Sequence, residues 1–362
     1  MSDKDFNIES DESLEINETK TNLNSNQETK TTEKFDEYGF LIDEENVQIS
    51  QKKQKKIKSK EEQEEKKKVK WNQFFKNWNF YFEKKKKKIG KQVIKGIPNS
   101  LRKEAWLRLS GSFEMLSNEK YSELYNNCLK KKDPKFQEMI VNDVKRTFST
   151  NRFYKEKDGK EKLIRVLTAI AAYDPQIGYC QGMSSIAGLL LFYMDEKESF
   201  LTFLSLLERY HMSGTFRPGF PLILIQMHQW KRSLEKNLPK IHQHFKENEI
   251  IPEYYANVWF ITLFADLISF DSLLRIWDVF LFEGFPFIFK VGLSYLKIFQ
   301  KQLLSFSMNE ILHKIQNLDE FSIEELINTA NSFQIRSEEL VEWRDEFFIE
   351  HKNISLLFEN QK

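Results

Sequence analysis

From Ser185 to Met194 the chain reads Ser-Ile-Ala-Gly-Leu-Leu-Leu-Phe-Tyr-Met, and from Ser199 to Tyr210 it reads Ser-Phe-Leu-Thr-Phe-Leu-Ser-Leu-Leu-Glu-Arg-Tyr. Neither stretch alternates apolar and polar residues with period two, and both are long enough for a helix, so each reads as a buried or amphipathic helix. The same reading extends outward to Leu222–Leu238, Trp259–Phe270, Ser272–Phe282 and Phe287–Leu304, and then to Glu324–Ala330 and Ser337–His351. Pro239 should end or kink the first of these. Turn signals fall between them at Asp174-Pro175, Arg217-Pro218-Gly219, Ile251-Pro252 and Glu283-Gly284. No strand-like run and no fixed-period repeat intervenes, so the fold class expected is all-α.

Working toward the N-terminus, Trp71, Phe74, Phe75, Trp78 and Tyr81 recur at helical spacing and are expected to form a lead-in helix over 71–94 that faces the core. Before it, residues 1–70 read as a tail. Residues 1–50 hold 14 acids against 4 lysines, and residues 51–95 hold 18 lysines against 5 glutamates, while the remaining body is close to neutral. Residues 1–34 carry a single aromatic, Phe6, too little apolar surface to offset chain entropy, and are expected to be disordered. Lys52–Lys70, without Gly or Pro, is either an exposed helix with Glu/Lys pairs or a fluid linker. The aromatic island at 35–42, Phe-Asp-Glu-Tyr-Gly-Phe-Leu-Ile, is either a segment that docks on the body or a short partner motif.

Composition excludes several classes. Among 362 residues there are 32 Phe against 12 Gly and 8 Pro, which argues against a turn-rich β-sandwich. Two cysteines, Cys128 and Cys180, make no disulfide framework, and the N-terminus carries no apolar leader, so a cytoplasmic setting is expected. The longest apolar stretch, near Ser184–Met194, is shorter than the ~18 residues that suggest a membrane span. The six histidines are scattered, with His242 and His244 on different helical faces, and no metal site is expected. A phosphate-cradling loop ending in Lys-Ser/Thr, a kinase motif set and a nucleophile elbow are all missing.

Two polar segments remain. In Ile140-Val141-Asn142-Asp143-Val144-Lys145-Arg146-Thr147, Asp143 and Arg146 are three apart and share one side of a helical turn. In Tyr173-Asp174-Pro175-Gln176-Ile177-Gly178-Tyr179-Cys180-Gln181-Gly182-Met183, a proline turn leads to a glutamine with glycines on both sides. Read alone, the first is a surface ion pair and the second a tight inter-helix turn. Read together, they offer the side chains that GTP hydrolysis asks for: an arginine to stabilise charge on the transferring phosphoryl group, and a glutamine to orient water.

Several motifs in order resemble the TBC domain family of Rab GTPase-activating proteins. Lys95-Gly96-Ile97-Pro98-Asn99-Ser100-Leu101-Arg102 with Trp106-Leu107-Arg108-Leu109-Ser110-Gly111 is similar to its opening motif. Ile140-x-x-Asp143-x-x-Arg146-Thr147 is similar to its arginine-finger motif, and Gly178-Tyr179-Cys180-Gln181-Gly182-Met183 to its glutamine-finger motif. Trp259–Phe264 and Arg275–Gly284 resemble its later helices. Asp36-Glu37-Tyr38-Gly39-Phe40, ahead of the domain, resembles an animal subgroup with an Asp-x-Tyr-Gly-Phe motif.

The resemblance implies a TBC domain over 95–315 in two helical subdomains, the first running to about Tyr210, with C-terminal helices over 316–362. It implies an activator that lends catalytic residues to another protein's active site: Arg146 neutralises charge and Gln181 positions water, supplied in trans. Asp143, Tyr179 and Gly182 support them, and Cys180 points inward. Arg102, Trp106, Trp277 and Asp278 are structural, as buried anchors and an internal ion pair. The partner implied is a Rab GTPase in its GTP form, which brings GTP and magnesium, so no cofactor is expected in this chain. The alternative is a TBC-fold scaffold that binds a Rab with weak catalysis. The basic stretch 51–95 suits an anionic endomembrane surface, each lysine adding about 1 kcal/mol. Nucleic acid is not expected, because Trp71 and Trp78 are better used in the core than in stacking on bases.

Overall fold

The computed structural model describes residues 35–41, 53–131, 133–265, 267–318 and 321–352. The expectation of disorder over 1–34 lies outside these residues. Among those described the fold is all-α, and the only β-type pairing consists of two isolated bridges, Phe35 with Leu41 and Phe40 with Asn151.

A helix over Lys53–Lys76 (α1) settles the reading of the basic stretch and moves the end of the tail well before residue 70. Lys67–Glu64 and Lys68–Glu65 pairs, three residues apart, run along it, with Glu64, Lys67 and Lys68 half-buried on the face that leads to the fully buried Trp71. The lead-in expected as one helix over 71–94 is three: the end of α1, then Trp78–Lys84 (α2) and Lys86–Ile94 (α3). Asn77 and Lys85 leave helical geometry, φ −134° and −135°, and these bends let Trp78, Ile89 and Val93 all face inward.

The helix Arg102–Ser110 (α4) follows, and after short helical turns comes Pro134–Arg146 (α5). Asp133 caps α5 through the Lys135 amide, and Pro134 occupies the first turn, where a missing N–H costs nothing. Lys157–Tyr173 (α6) packs on α5. Met183–Leu191 (α7) is buried on every side, as a continuous apolar run requires. Glu196–Glu208 (α8) covers α6 and α7 and begins with a capping box: Asp195 accepts from the Glu198 amide and Glu198 from the Asp195 amide, each at 2.8 Å.

In the second half, Pro221–Asn237 (α9) stops before Pro239, which starts Pro239–Glu247 (α10). Trp259–Phe270 is not one helix. Asn257–Thr262 (α11) ends there, because Leu263 and Phe264 take left-handed backbone, φ 52° and 65°. Such strain persists only when the surroundings over-determine it. Both side chains are fully buried, Phe264 stacks on Trp259 with ring centroids 5.6 Å apart, and the Leu263 carbonyl accepts from the Trp277 indole at 3.2 Å. Phe270–Glu283 (α12) and Phe285–Ile298 (α13) then pack together. Ile323–Ser332 (α14) lies on α13, and Ser337–Glu350 (α15) lies on α9. One hydrophobic cluster runs through both halves from Trp71 to Trp343.

Candidate functional site

Arg146 is the last residue of α5, where a cation meets the negative end of the helix dipole. Its side chain is 61% exposed and its Nη2 donates to Asp143 Oδ1. Asp143, one turn back, is buried, and its second oxygen accepts from the Tyr179 hydroxyl at 2.6 Å. The carboxylate thus holds an exposed guanidinium on one side and a buried phenol on the other. Burial, with Asp143 as acceptor, pushes the Tyr179 hydroxyl far above its ordinary value, so it stays a donor.

Tyr179 reaches Asp143 because the loop before α7 lies tightly on α5. Asp174 starts the loop by accepting from the Ile177 and Gly178 amides at 3.0 and 2.8 Å. Gly178 has φ 60°, and a Cβ there would sit 2.1 Å from the Phe136 ring of α5. Gly182 has φ 100°, and a Cβ there would meet Ile261 Cγ2 at 2.8 Å. The chain therefore needs glycine at both ends of the loop, and Gln181 is presented between them, exposed. Cys180 is half-buried; burial, with the Asp143 charge nearby, pushes its thiol up to about 11, which keeps it protonated and poorly nucleophilic near neutral pH.

A second brace joins the two segments. The Thr147 hydroxyl donates to Ser184 Oγ at 2.9 Å, linking the residue after Arg146 to the start of α7. Arg146 and Gln181 line one open cleft of about 790 Å³, whose far wall is built by Thr262, Ser269 and Asp271. Asp36, Tyr38 and Phe40 line it too. The sequence allowed this island to dock but gave no sign that it would reach the cleft, or that Ser184 would bridge the segments. A larger cleft, about 1040 Å³, is lined by Lys231, His242, Lys246, Glu346 and Glu350 and contains none of the motif residues.

The residues expected to be structural, Arg102, Trp106, Trp277 and Asp278, are buried and do not line this cleft. Asp278 is fully buried, and it accepts from Arg102 Nε at 3.0 Å, Trp106 Nε1 at 2.8 Å and the Ile97 amide at 3.1 Å. Among the described residues no group of three His, Cys, Asp or Glu could hold a metal ion, and no helix is long and apolar enough to cross a membrane.

The Rab-GTPase-TBC domain family matches residues 99–304. The chain is 33% identical over 252 residues to the human ecotropic viral integration site 5 protein homolog, covering 69% of this chain and 30% of that protein. It is 30% identical over 275 residues to the Rab GTPase-activating protein eat-17 of Caenorhabditis elegans, covering 75% and 30%. The chain thus spans about a third of the length of these curated relatives. A solved structure of the Chlamydomonas flagellar RabGAP TBC domain superposes with a TM-score of 0.64 at 24% identity, covering 82% of this chain and 98% of that one.

Proposed function

This chain belongs to the Rab-GTPase-TBC domain family, and we propose that it is a GTPase-activating protein for Rab-family small GTPases. The observation that carries this reading is the pairing of two exposed side chains, Arg146 and Gln181, on one cleft, with Asp143, Tyr179, Thr147 and Ser184 cross-bracing the segments that bear them. A relative named as a Rab GTPase-activating protein supports it.

In this reading the GTPase, in its GTP form, brings nucleotide and magnesium, and this chain needs no cofactor of its own. Arg146 leaves its ion pair with Asp143, whose buried carboxylate keeps the Tyr179 hydroxyl as a donor, and neutralises charge developing between the β and γ phosphates. Gln181 takes over the positioning of the attacking water. Asp143 and Tyr179 keep the end of α5 and the glutamine loop in register, so neither side chain has to search for its place. The protein works in the cytoplasm at endomembrane surfaces, where the exposed Lys84–Lys88 run meets anionic headgroups.

The test is single-turnover GTP hydrolysis across a panel of Rab GTPases, with and without the full chain. Acceleration of at least one Rab is expected. Binding to GTP-loaded Rabs with no acceleration anywhere on the panel would make the protein a scaffold.

A further inference from the structure

The residue two positions after Arg146, Phe148, is held at φ 44°, a conformation phenylalanine adopts only under constraint. Four rings surround it: Tyr154, Phe192 and Phe270 from the body, and Phe40 from the segment Phe35–Leu41, more than a hundred residues earlier in the chain. That segment is folded on itself. Asp36 Oδ1 accepts from the amides of Tyr38 and Phe40 at 2.9 and 2.8 Å, and the Asp36 amide donates to the Phe40 carbonyl at 2.9 Å.

The folded segment is fastened to the turn that follows α5. The Arg152 amide donates to the Gly39 carbonyl at 2.7 Å, and Asn151 Nδ2, fully buried, donates to the Tyr38 carbonyl at 2.9 Å. The Phe40 ring lies 6.2 Å from Phe148, 6.0 Å from Phe192 and 5.0 Å from Phe270, centroid to centroid. Tyr38 packs on Phe270 at 5.2 Å, and burial with Asp271 nearby raises its hydroxyl well above its ordinary value. Asp36, Tyr38 and Phe40 at the same time line the cleft that holds Arg146 and Gln181.

We propose that Phe35–Leu41 is a clip that locks the turn Thr147–Arg152 and closes one side of the cleft, making Phe40 a positioning residue for Arg146. The inference rests on the reading of Arg146 as a finger for a GTPase. Removing Phe40 takes one wall from the strained Phe148 while Tyr154, Phe192 and Phe270 stay, so the residue gains room to relax and the end of α5 loses part of its fixed exit. Arg146 would sample more directions and spend less time at the one that meets a phosphate oxygen. Such a loss falls on kcat, because the wider contact with the GTPase remains.

The experiment uses the full chain with Phe40→Ala, Phe40→Leu and Asp36→Ala. The last breaks the turn without removing the half-buried Phe40 ring. Amide exchange at Asn151 and Arg152 should rise about tenfold in Phe40→Ala and Asp36→Ala, with α8 and α13 unchanged. The kcat of stimulated GTP hydrolysis should fall about tenfold while KM for the GTPase stays within about twofold, and Phe40→Leu should recover most of both. Unchanged exchange at Asn151 and Arg152 would overturn the proposal. So would faster exchange throughout the body, which would make Phe40 an ordinary core residue, or a rate above the parent's, which would make the segment a plug. A parent protein that accelerates no Rab would refute the finger reading, while the exchange data would still decide whether the segment locks the turn.

Discussion

Asp143 carries two relationships that a sequence reading could only partly supply. Its spacing to Arg146 is legible, since three residues make a helical turn. Its bond to Tyr179 is not, because nothing in two segments 36 residues apart says that a loop will fold onto that face of α5. The consequence is a division of labour within one carboxylate: the buried oxygen fixes the loop, and the outer one parks the arginine. This predicts separable losses. Arg146→Ala should reduce stimulated hydrolysis by roughly three or more powers of ten, the range in which an arginine finger contributes. Arg146→Lys should not rescue it, since an ammonium lacks the planar fork that spans two phosphate oxygens. Gln181→Ala should also be severe. All three should melt within a degree or two of the parent, as exposed side chains do. Paired rate and melting measurements decide the matter, and a parent-like rate in Arg146→Ala would remove the arginine from the mechanism.

At the scale of elements, the helices that were easiest to read are those whose burial is decided by composition alone. α7 and α8 fall almost where Ser185–Met194 and Ser199–Tyr210 placed them, since apolar runs of this length without strand-like alternation are buried as helices. Boundaries set by tertiary strain were not readable. Thr262-Leu263-Phe264 carries no Gly or Pro, and the break comes from the burial of Leu263 and Phe264 together with the Trp277 bond to a freed carbonyl. The same break brings α11 beside the glutamine loop, where Ile261 leaves room for a backbone but not for a side chain at Gly182. Gly182→Ala should therefore combine left-handed strain with a contact of 2.8 Å against Ile261. A loss of about 2 kcal/mol is expected, a fall of several degrees in melting temperature, and a lower rate because Gln181 is the adjacent residue. Shortening Ile261 to Val in the same chain should restore part of both. If Gly182→Ala melts like the parent, the close packing of this loop on α11 is not what holds it.

For the whole molecule, the question is what keeps the half that carries Arg146 and Gln181 in place on the half that follows it, and Asp278 supplies much of the answer. It sits on α12 in the second half and takes hydrogen bonds from Ile97, Arg102 and Trp106, all in the first. Arg102 is equally well served, donating also to Asn99 Oδ1 at 2.8 Å, to the Tyr193 hydroxyl at 3.0 Å and to the Ile97 carbonyl at 2.9 Å. Burial opposes its charge, yet Asp278 and Tyr193 together hold the guanidinium above its ordinary value. A buried pair of this kind adds little over a well-packed apolar pair, but removing one partner strands the other without solvent. Asp278→Ala should thus cost about 3–5 kcal/mol, because Arg102 and the Trp106 indole both lose their acceptor. For a chain of this size that lowers the melting temperature by roughly 5 °C. The double change Arg102→Met with Asp278→Leu should be less harmful than Asp278→Ala alone, since no charge is then left unpaired. Well below the transition, Asp278→Ala should still accelerate GTP hydrolysis, the reverse of the pattern for Arg146→Ala, which should lose rate and keep its melting temperature. Thermal melts and single-turnover rates on the three variants test this directly. If Asp278→Ala melts within about 2 °C of the parent, the bond between the halves lies in the shared hydrophobic core, and the buried ion pair is incidental to it.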